Sequence, residues 1–178
     1  MATTEETIKG RLEKAFSQKG FARPGVAELK KDAGVSLRTL YRYFPSKLDM
    51  VVGALDFRHE RYMRFLEQDL PEPGRAAVLH ILHRLDDWMR RFAPNGCLSV
   101  NALAAYPDDR TVRSAVARHK QETIALMERC GGIPEIAVAL FLVHEGVSAA
   151  WPVVGSRAVD AAKITITKLF NTTERSEA

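Results

Sequence analysis

Asp32-Ala33-Gly34-Val35-Ser36-Leu37-Arg38-Thr39-Leu40-Tyr41-Arg42-Tyr43-Phe44-Pro45-Ser46-Lys47 is the stretch that decides how this chain folds. It begins at the end of a short helix. Gly34 falls where the chain must leave that helix through positive φ, which a residue without Cβ does at least cost. Ala33 is small, as two closely crossing helices require, and Val35 plugs the space between them. Ser36 is a good N-cap for a second helix over about 36–43. Leu40 and Phe44, four apart, share a buried face and leave positions 38, 39, 42 and 43 outward. Pro45 cannot continue the helix, and Ser46-Lys47-Leu48-Asp49 fits the capping-box pattern that opens another.

Helix, glycine turn, helix is the layout of a helix-turn-helix, whose second helix enters the major groove of DNA. Its outer face carries Leu37, Arg38, Thr39, Tyr41, Arg42 and Tyr43. Arg38 and Thr39 stand at its start, where side chains meet base edges. An arginine there can bind guanine O6 and N7 in bidentate fashion, a discrimination of about 1–3 kcal/mol. Leu37 suits either a thymine methyl or packing against the first helix, and Arg42 suits phosphate or base. The charge agrees with this reading. Between Lys9 and Lys47 there are ten basic residues against three acidic ones, so this segment is +7 and the remainder −3, within a net +4. A basic head neutralises phosphates and releases counterions.

Working outward, Thr3 and Glu6 can cap a first helix with Ile8, Leu12, Ala15 and Phe16 on one apolar stripe, ended by Gly20. A second helix is expected over about 25–32. A fourth, over about 46–68, is long enough to join a head to a body. Pro71-Glu72-Pro73-Gly74 breaks the chain. A fifth helix follows over about 74–92 and a short apolar sixth from Cys97 to Ala105. Asp108 caps a seventh over about 109–130, and Gly131-Gly132 stops it. An eighth, over about 134–151, is apolar nearly all round. The ninth covers about 157–171. No strand pattern and no internal repeat is present. The expected fold is all-α with about nine helices: a three-helix head over 1–47 and a helical body over 48–178. Two apolar C-terminal helices with no further chain to cover them point to a second subunit, and a single head has too small a footprint for tight specific binding.

Ala33-Gly34-Val35-Ser36, Thr39-Leu40-Tyr41-Arg42-Tyr43-Phe44 and Pro45-Ser46-Lys47 resemble the signature of the tetracycline-repressor (TetR) family of bacterial regulators, over about residues 8 to 55. One departure is Leu29-Lys30, where such proteins usually carry Ile-Ala. The resemblance implies that Tyr41, Tyr43 and Lys47 contact phosphates, with Ser36 at the start of the recognition helix. It implies a homodimer through the last two helices on a palindromic duplex operator. It also implies a body that encloses a small-molecule effector and leaves the operator on binding it.

The candidate lining of such a pocket is Trp88, Phe92, Cys97, Asn101, Tyr106, Phe141, His144 and Trp151, aromatic and polar groups among apolar walls. Each of these also suits plain core packing. His144-Glu145 is a polar pair inside an apolar helix and needs partners if buried. Cys97 opens a helix, where a thiol can be activated, though an inert packed thiol is the ordinary case. His80 and His83 lack the further ligands a metal needs, and Asp86 and Asp87 point to different sides of their helix. No nucleophile–base set is seen, and Gly131-Gly132 lacks the Lys and Ser of a phosphate loop. The chain is expected to be neither an enzyme nor a cofactor binder. Two cysteines do not make a disulfide framework, no unbroken apolar run spans a bilayer, and no export leader is read at the N-terminus. These readings point to a reducing bacterial cytoplasm and no membrane partner. An activator or a nucleoid-associated division regulator is the alternative to a repressor.

Overall fold

The computed structural model describes residues 3–176, so Met1 and Ala2, which open the segment read as lacking a leader, lie outside the described residues, as do 177 and 178. Among those described, nine α-helices and one 3₁₀ turn occur and no strand: α1 Thr4–Lys19, α2 Val26–Ala33, α3 Leu37–Tyr43, α4 Lys47–Glu67, α5 Arg75–Phe92, α6 Leu98–Ala105, α7 Arg110–Gly131, the turn Pro134–Ile136, α8 Ala137–Val154 and α9 Arg157–Ser176. The fold is all-α, as the sequence implies.

The caps explain most boundaries. Glu6 N donates to Thr3 Oγ1 at 3.2 Å while Thr3 N donates to Glu6 Oε2 at 2.7 Å, a complete capping box. Gly20 closes α1, its N–H bonded to Phe16 O at 2.9 Å. The cap of α7 is Asp109, not Asp108: Val112 N donates to Asp109 Oδ1 at 2.9 Å. Either of two adjacent aspartates can cap, and the turn that bonds Asp109 N to Tyr106 O selects the second. Pro134 begins a 3₁₀ turn rather than α8 itself. That helix runs past the expected end through Pro152 to Val154, closed by Gly155 N on Trp151 O at 2.8 Å. With no breaker after Phe170, α9 continues to Ser176.

The helices sort into two compact units, and the division does not follow a boundary at 47/48. One unit takes the chain up to Arg61 together with Leu98–His119; the other takes Tyr62–Cys97 and the chain from Lys120 onward. In the first, Ile8, Leu12 and Phe16 of α1 meet Leu29 and Ala33 of α2, Leu40 of α3, Phe44, and Met50, Val51 and Leu55 of α4. Leu98 and Ala102 of α6 and Val112 and Val116 of α7 complete this core, which is why α6 groups with the head. Glu13 is buried on α1 and takes Arg58 of α4, and also Arg61 Nη1 at 3.1 Å. Asp56 on α4 accepts from His119 Nε2 at 2.7 Å and from Arg118, both on α7. Burial pushes the Asp56 carboxyl up, but the His119 bond and the Arg118 charge outweigh it and hold it below its ordinary value.

In the second unit α5 packs on α8 and α9, burying Val78, Ile81, Leu82, Leu85 and Trp88 against Leu140, Val147, Val159, Ala162, Ile166 and Phe170. Asp86 ties these helices together at the α8–α9 turn. It accepts from Trp151 Nε1 at 2.8 Å, Ser156 Oγ at 2.9 Å and Arg90 Nη2 at 2.9 Å. The chain from Pro134 to Val154 is, by length and composition, long and apolar enough to cross a bilayer. A count of unbroken apolar runs misses it because Glu135, His144 and Glu145 interrupt the stretch.

Candidate nucleic-acid interface

The bend between α2 and α3 is built by hydrogen bonds. Gly34 takes the left-handed conformation (φ 67°, ψ 33°), and its N–H is shared by Lys30 O and Lys31 O at 3.1 Å each, with Val35 N on Lys30 O at 3.4 Å. These satisfy carbonyls that a helix end leaves without partners. Ser36 Oγ accepts from Thr39 N at 3.0 Å and starts α3. Leu40 is fully buried, and Phe44 lies so close over α4 that a Cβ on Gly53 would sit 2.6 Å from its ring. Reciprocal bonds between Ser46 and Asp49, at 2.9 and 3.2 Å, cap α4.

On this frame Ser36, Leu37, Arg38, Tyr41 and Arg42 are exposed. Leu37 is 45% and Tyr41 41% accessible, large apolar and aromatic surfaces that a free helix would bury if it could. Leu37 is thus not packed into the head core. Thr39 is half-buried, its Oγ1 bonded to Ser36 Oγ at 2.8 Å. Tyr43 is less outward than the spacing implies. It is half-buried against the core, with the Arg42 guanidinium 4.8 Å from its ring centre and 3.2 Å from its hydroxyl. Lys47 is half-buried too, its Nζ 3.4 Å from Ala22 O.

Not every basic residue of the head faces outward for phosphate. Lys19 is engaged by α2, at 2.6 Å from Asp32 and 2.8 Å from Glu28, and bonding to Asp32 and then Glu28 raises its pKa above the ordinary 10.5. Arg23, Lys30, Lys31, Arg38 and Arg42 are exposed.

The residues nominated as an effector lining fall in both units. Asn101 and Tyr106 lie in the first unit: Asn101 is exposed and the Tyr106 hydroxyl donates to Phe21 O at 3.3 Å. Burial pushes the Tyr106 hydroxyl above its ordinary pKa of 10.0. Trp88, Phe92, Cys97, Phe141, His144 and Trp151 are in the second unit. There Trp88 packs on Phe92 with ring centres 4.8 Å apart and on Tyr62 at 5.0 Å, while Trp151 is taken up by Asp86. Cys97 and Cys130 are free thiols.

His144 and Glu145 have the partners that burial demands, on residues the sequence did not single out. His144 bonds Tyr62 Oη through Nε2 and lies 3.3 Å from Glu145 Oε1 through Nδ1. Glu145 takes Lys120 Nζ at 2.6 Å, and that ammonium is 3.8 Å from Cys97 Sγ. Burial alone would push the Glu145 carboxyl up, but the His144 bond and the Lys120 ammonium bring it down from 4.5 to about 2. Ionised Glu145 can only accept, so it is the His144 Nδ1–H that donates to it, with Nε2 turned to the Tyr62 hydroxyl. A carboxylate whose pKa falls on folding stabilises the fold fully above its unfolded value. Thermal melts should therefore show this contribution shrinking as pH falls from about 4.5 to about 2, and Glu145→Gln should flatten that part of the profile.

Comparisons with known proteins agree with the geometry. The family model for "Bacterial regulatory proteins, tetR family" matches residues 12–54. Nucleoid occlusion factor SlmA of Aliivibrio fischeri (strain MJ11) is 39% identical over 79 residues, 42% of this chain and 40% of that protein. SlmA of Vibrio cholerae is 41% identical over 59 residues, 33% of this chain and 30% of that protein. The chain thus matches well under half the length of these curated relatives. Among solved structures, a TetR-family transcriptional regulator from Streptomyces coelicolor superposes with a TM-score of 0.81 at 20% identity, over 95% of each chain. The reduced form of Escherichia coli NemR does so at 0.73 and 23%, over 93% of this chain and 96% of that one. Residues 12–54 thus carry the tetR-family head, and the chain as a whole has the fold of TetR-family regulators.

Proposed function

We propose that this DNA-binding regulator is a repressor, released from a palindromic operator by a small molecule. The observation that carries the DNA half is the face of α3. Leu37, Arg38, Tyr41 and Arg42 are exposed, while Leu40 and Phe44 of the same segment are buried, in a head of strongly positive charge. Arg38 reads a base edge, with Leu37 beside it. Tyr41, Tyr43, Lys47 and Arg42 hold the backbone, and Ser36 and Thr39 hold the start of the helix. In direct binding assays, Arg38→Ala is expected to change sequence preference, at a cost of about 1–3 kcal/mol on the preferred duplex. Lys47→Ala is expected to weaken binding to every sequence and lower the salt slope by about one. Equal effects of both on unrelated DNA would contradict this division.

The dimer is supported by the outer faces of α8 and α9. Val138, Leu142, Val153 and Ile164 are more than half exposed. α8 and α9 also line an open groove of about 440 Å³ with small residues such as Gly146, Ala150, Ala158 and Ala161, narrow enough in side-chain bulk for another helix to approach. Release by an effector is supported by the polar string Tyr62–His144–Glu145–Lys120. A ligand that competes for those bonds favours one arrangement of α4, α7 and α8 over another, and only such differential binding shifts an equilibrium. Such a regulator acts in the cytoplasm. A second reading, a nucleoid-associated division regulator, is favoured by the SlmA matches. A reporter fused to the regulator's own promoter separates the two: derepression on gene deletion supports the repressor, and an unchanged reporter with altered division supports the second.

A further inference from the structure

Arg11 lies outside the recognition helix, yet its guanidinium sits on the bend that aims it. Nη1 donates to Ala33 O at 2.8 Å. Ala33 is the last residue of α2. The carbonyls of Lys30 and Lys31 are already used by Gly34 and Val35, and Arg11 supplies, from α1, a donor to the carbonyl of the last residue of the helix. It also places positive charge at a helix C-terminus, where the dipole favours it. Gly34 makes the room: a Cβ there would sit 2.4 Å from Arg11 Nη1. The glycine therefore serves two ends, the left-handed turn and the berth for a guanidinium from another helix. Lys19 grips Asp32 and Glu28 of α2 from the same α1. With α2 held by both residues, the remaining freedom in aiming α3 lies at the bend, and there the only bond from α1 among those described is that of Arg11.

We propose that Arg11 is a positioning residue for sequence recognition: it fixes the α2–α3 angle and so the depth at which Leu37 and Arg38 meet base edges. This rests on the reading of α3 as the groove-entering helix. Sequence readout depends on that angle, whereas attraction to phosphate does not.

The test uses the full chain and a duplex selected by the wild-type protein from a random pool, beside an unselected duplex of equal length. Three variants are compared: Arg11→Met, Gly34→Asn and the double. Asparagine tolerates positive φ, so Gly34→Asn keeps the turn while its Cβ evicts the guanidinium. Each single variant is expected to lower the ratio of selected to unselected affinity about tenfold, the scale of one lost charge-assisted bond, with unselected affinity and salt slope unchanged. The double is expected to lose no more than either single, because both remove one interaction. Equal weakening on both duplexes with a shallower salt slope would make Arg11 a phosphate contact and overturn the proposal. An unchanged ratio, with or without a lower melting temperature, or additive losses in the double, would overturn it as well. Failure of the wild type to enrich any sequence would instead bring down the DNA reading itself.

Discussion

Leu142→Arg is expected to convert the protein to a folded monomer and to lower affinity for a two-half-site duplex by roughly 10²- to 10⁴-fold, the gain that linking two binding heads confers. Leu142 is 63% exposed on α8, and Ile164 is 60% exposed on α9. A guanidinium there costs nothing in the isolated chain but must be desolvated without a partner at a two-fold contact, where the same residue meets its own copy or that copy's neighbours. Sedimentation gives the mass, circular dichroism the helix content, and a titration against one and two half-sites gives the affinity. Val100→Arg serves as the control, because Val100 is 50% exposed on α6 in the other unit and should change none of the three. A dimer that survives Leu142→Arg and the matching Ile164→Arg would place the subunit contact elsewhere.

The second large effect is on stability. Glu13→Ala is expected to cost about 3–5 kcal/mol in urea unfolding, because it strips the carboxylate from a buried guanidinium. The Glu13 and Arg58 side chains are each only 9% exposed, and Arg61 shares the same carboxylate. Replacing both partners by apolar groups of similar length, Glu13→Leu with Arg58→Met, should recover much of the loss, since no charge is then left buried. A cost below about 1 kcal/mol for Glu13→Ala, the range of an exposed pair, would mean that the site is wetter than its burial implies.

What could be read from the sequence was local. The bend at Gly34, the cap at Ser36, the stop at Pro45 and the box at Ser46–Asp49 each involve residues within a few positions of one another, so their physics is written in order along the chain. The same holds for the α1 stripe of Ile8, Leu12 and Phe16 and for the break at Pro71–Gly74. Contacts between distant residues were not legible. His144 with Tyr62, Glu145 with Lys120 and Arg11 with Ala33 are separated by 82, 25 and 22 residues. Nothing in the spacing of a lone arginine or lysine announces such a partner. The same blindness assigned α6 to the body: Leu98 and Ala102 look like any apolar pair until the core they enter is known. Even short-range reading failed where two neighbours could do one job, as with Asp108 and Asp109, or where a residue has two uses. Tyr43 is such a case: its ring leans on the core while its hydroxyl and Arg42 stay near the surface.

The most direct measurement is the methylation of guanine N7 in a duplex selected by the full-length protein, with and without the protein bound. N7 lies on the floor of the major groove, where Arg38 is expected to reach. The expected result is protection confined to two symmetric half-sites whose centres are one helical turn or more apart, with that protection lost in Arg38→Ala. N7 reactivity left unchanged while the protein is bound, or no binding to any duplex at low salt, would contradict the assignment of α3 as the helix that reads DNA.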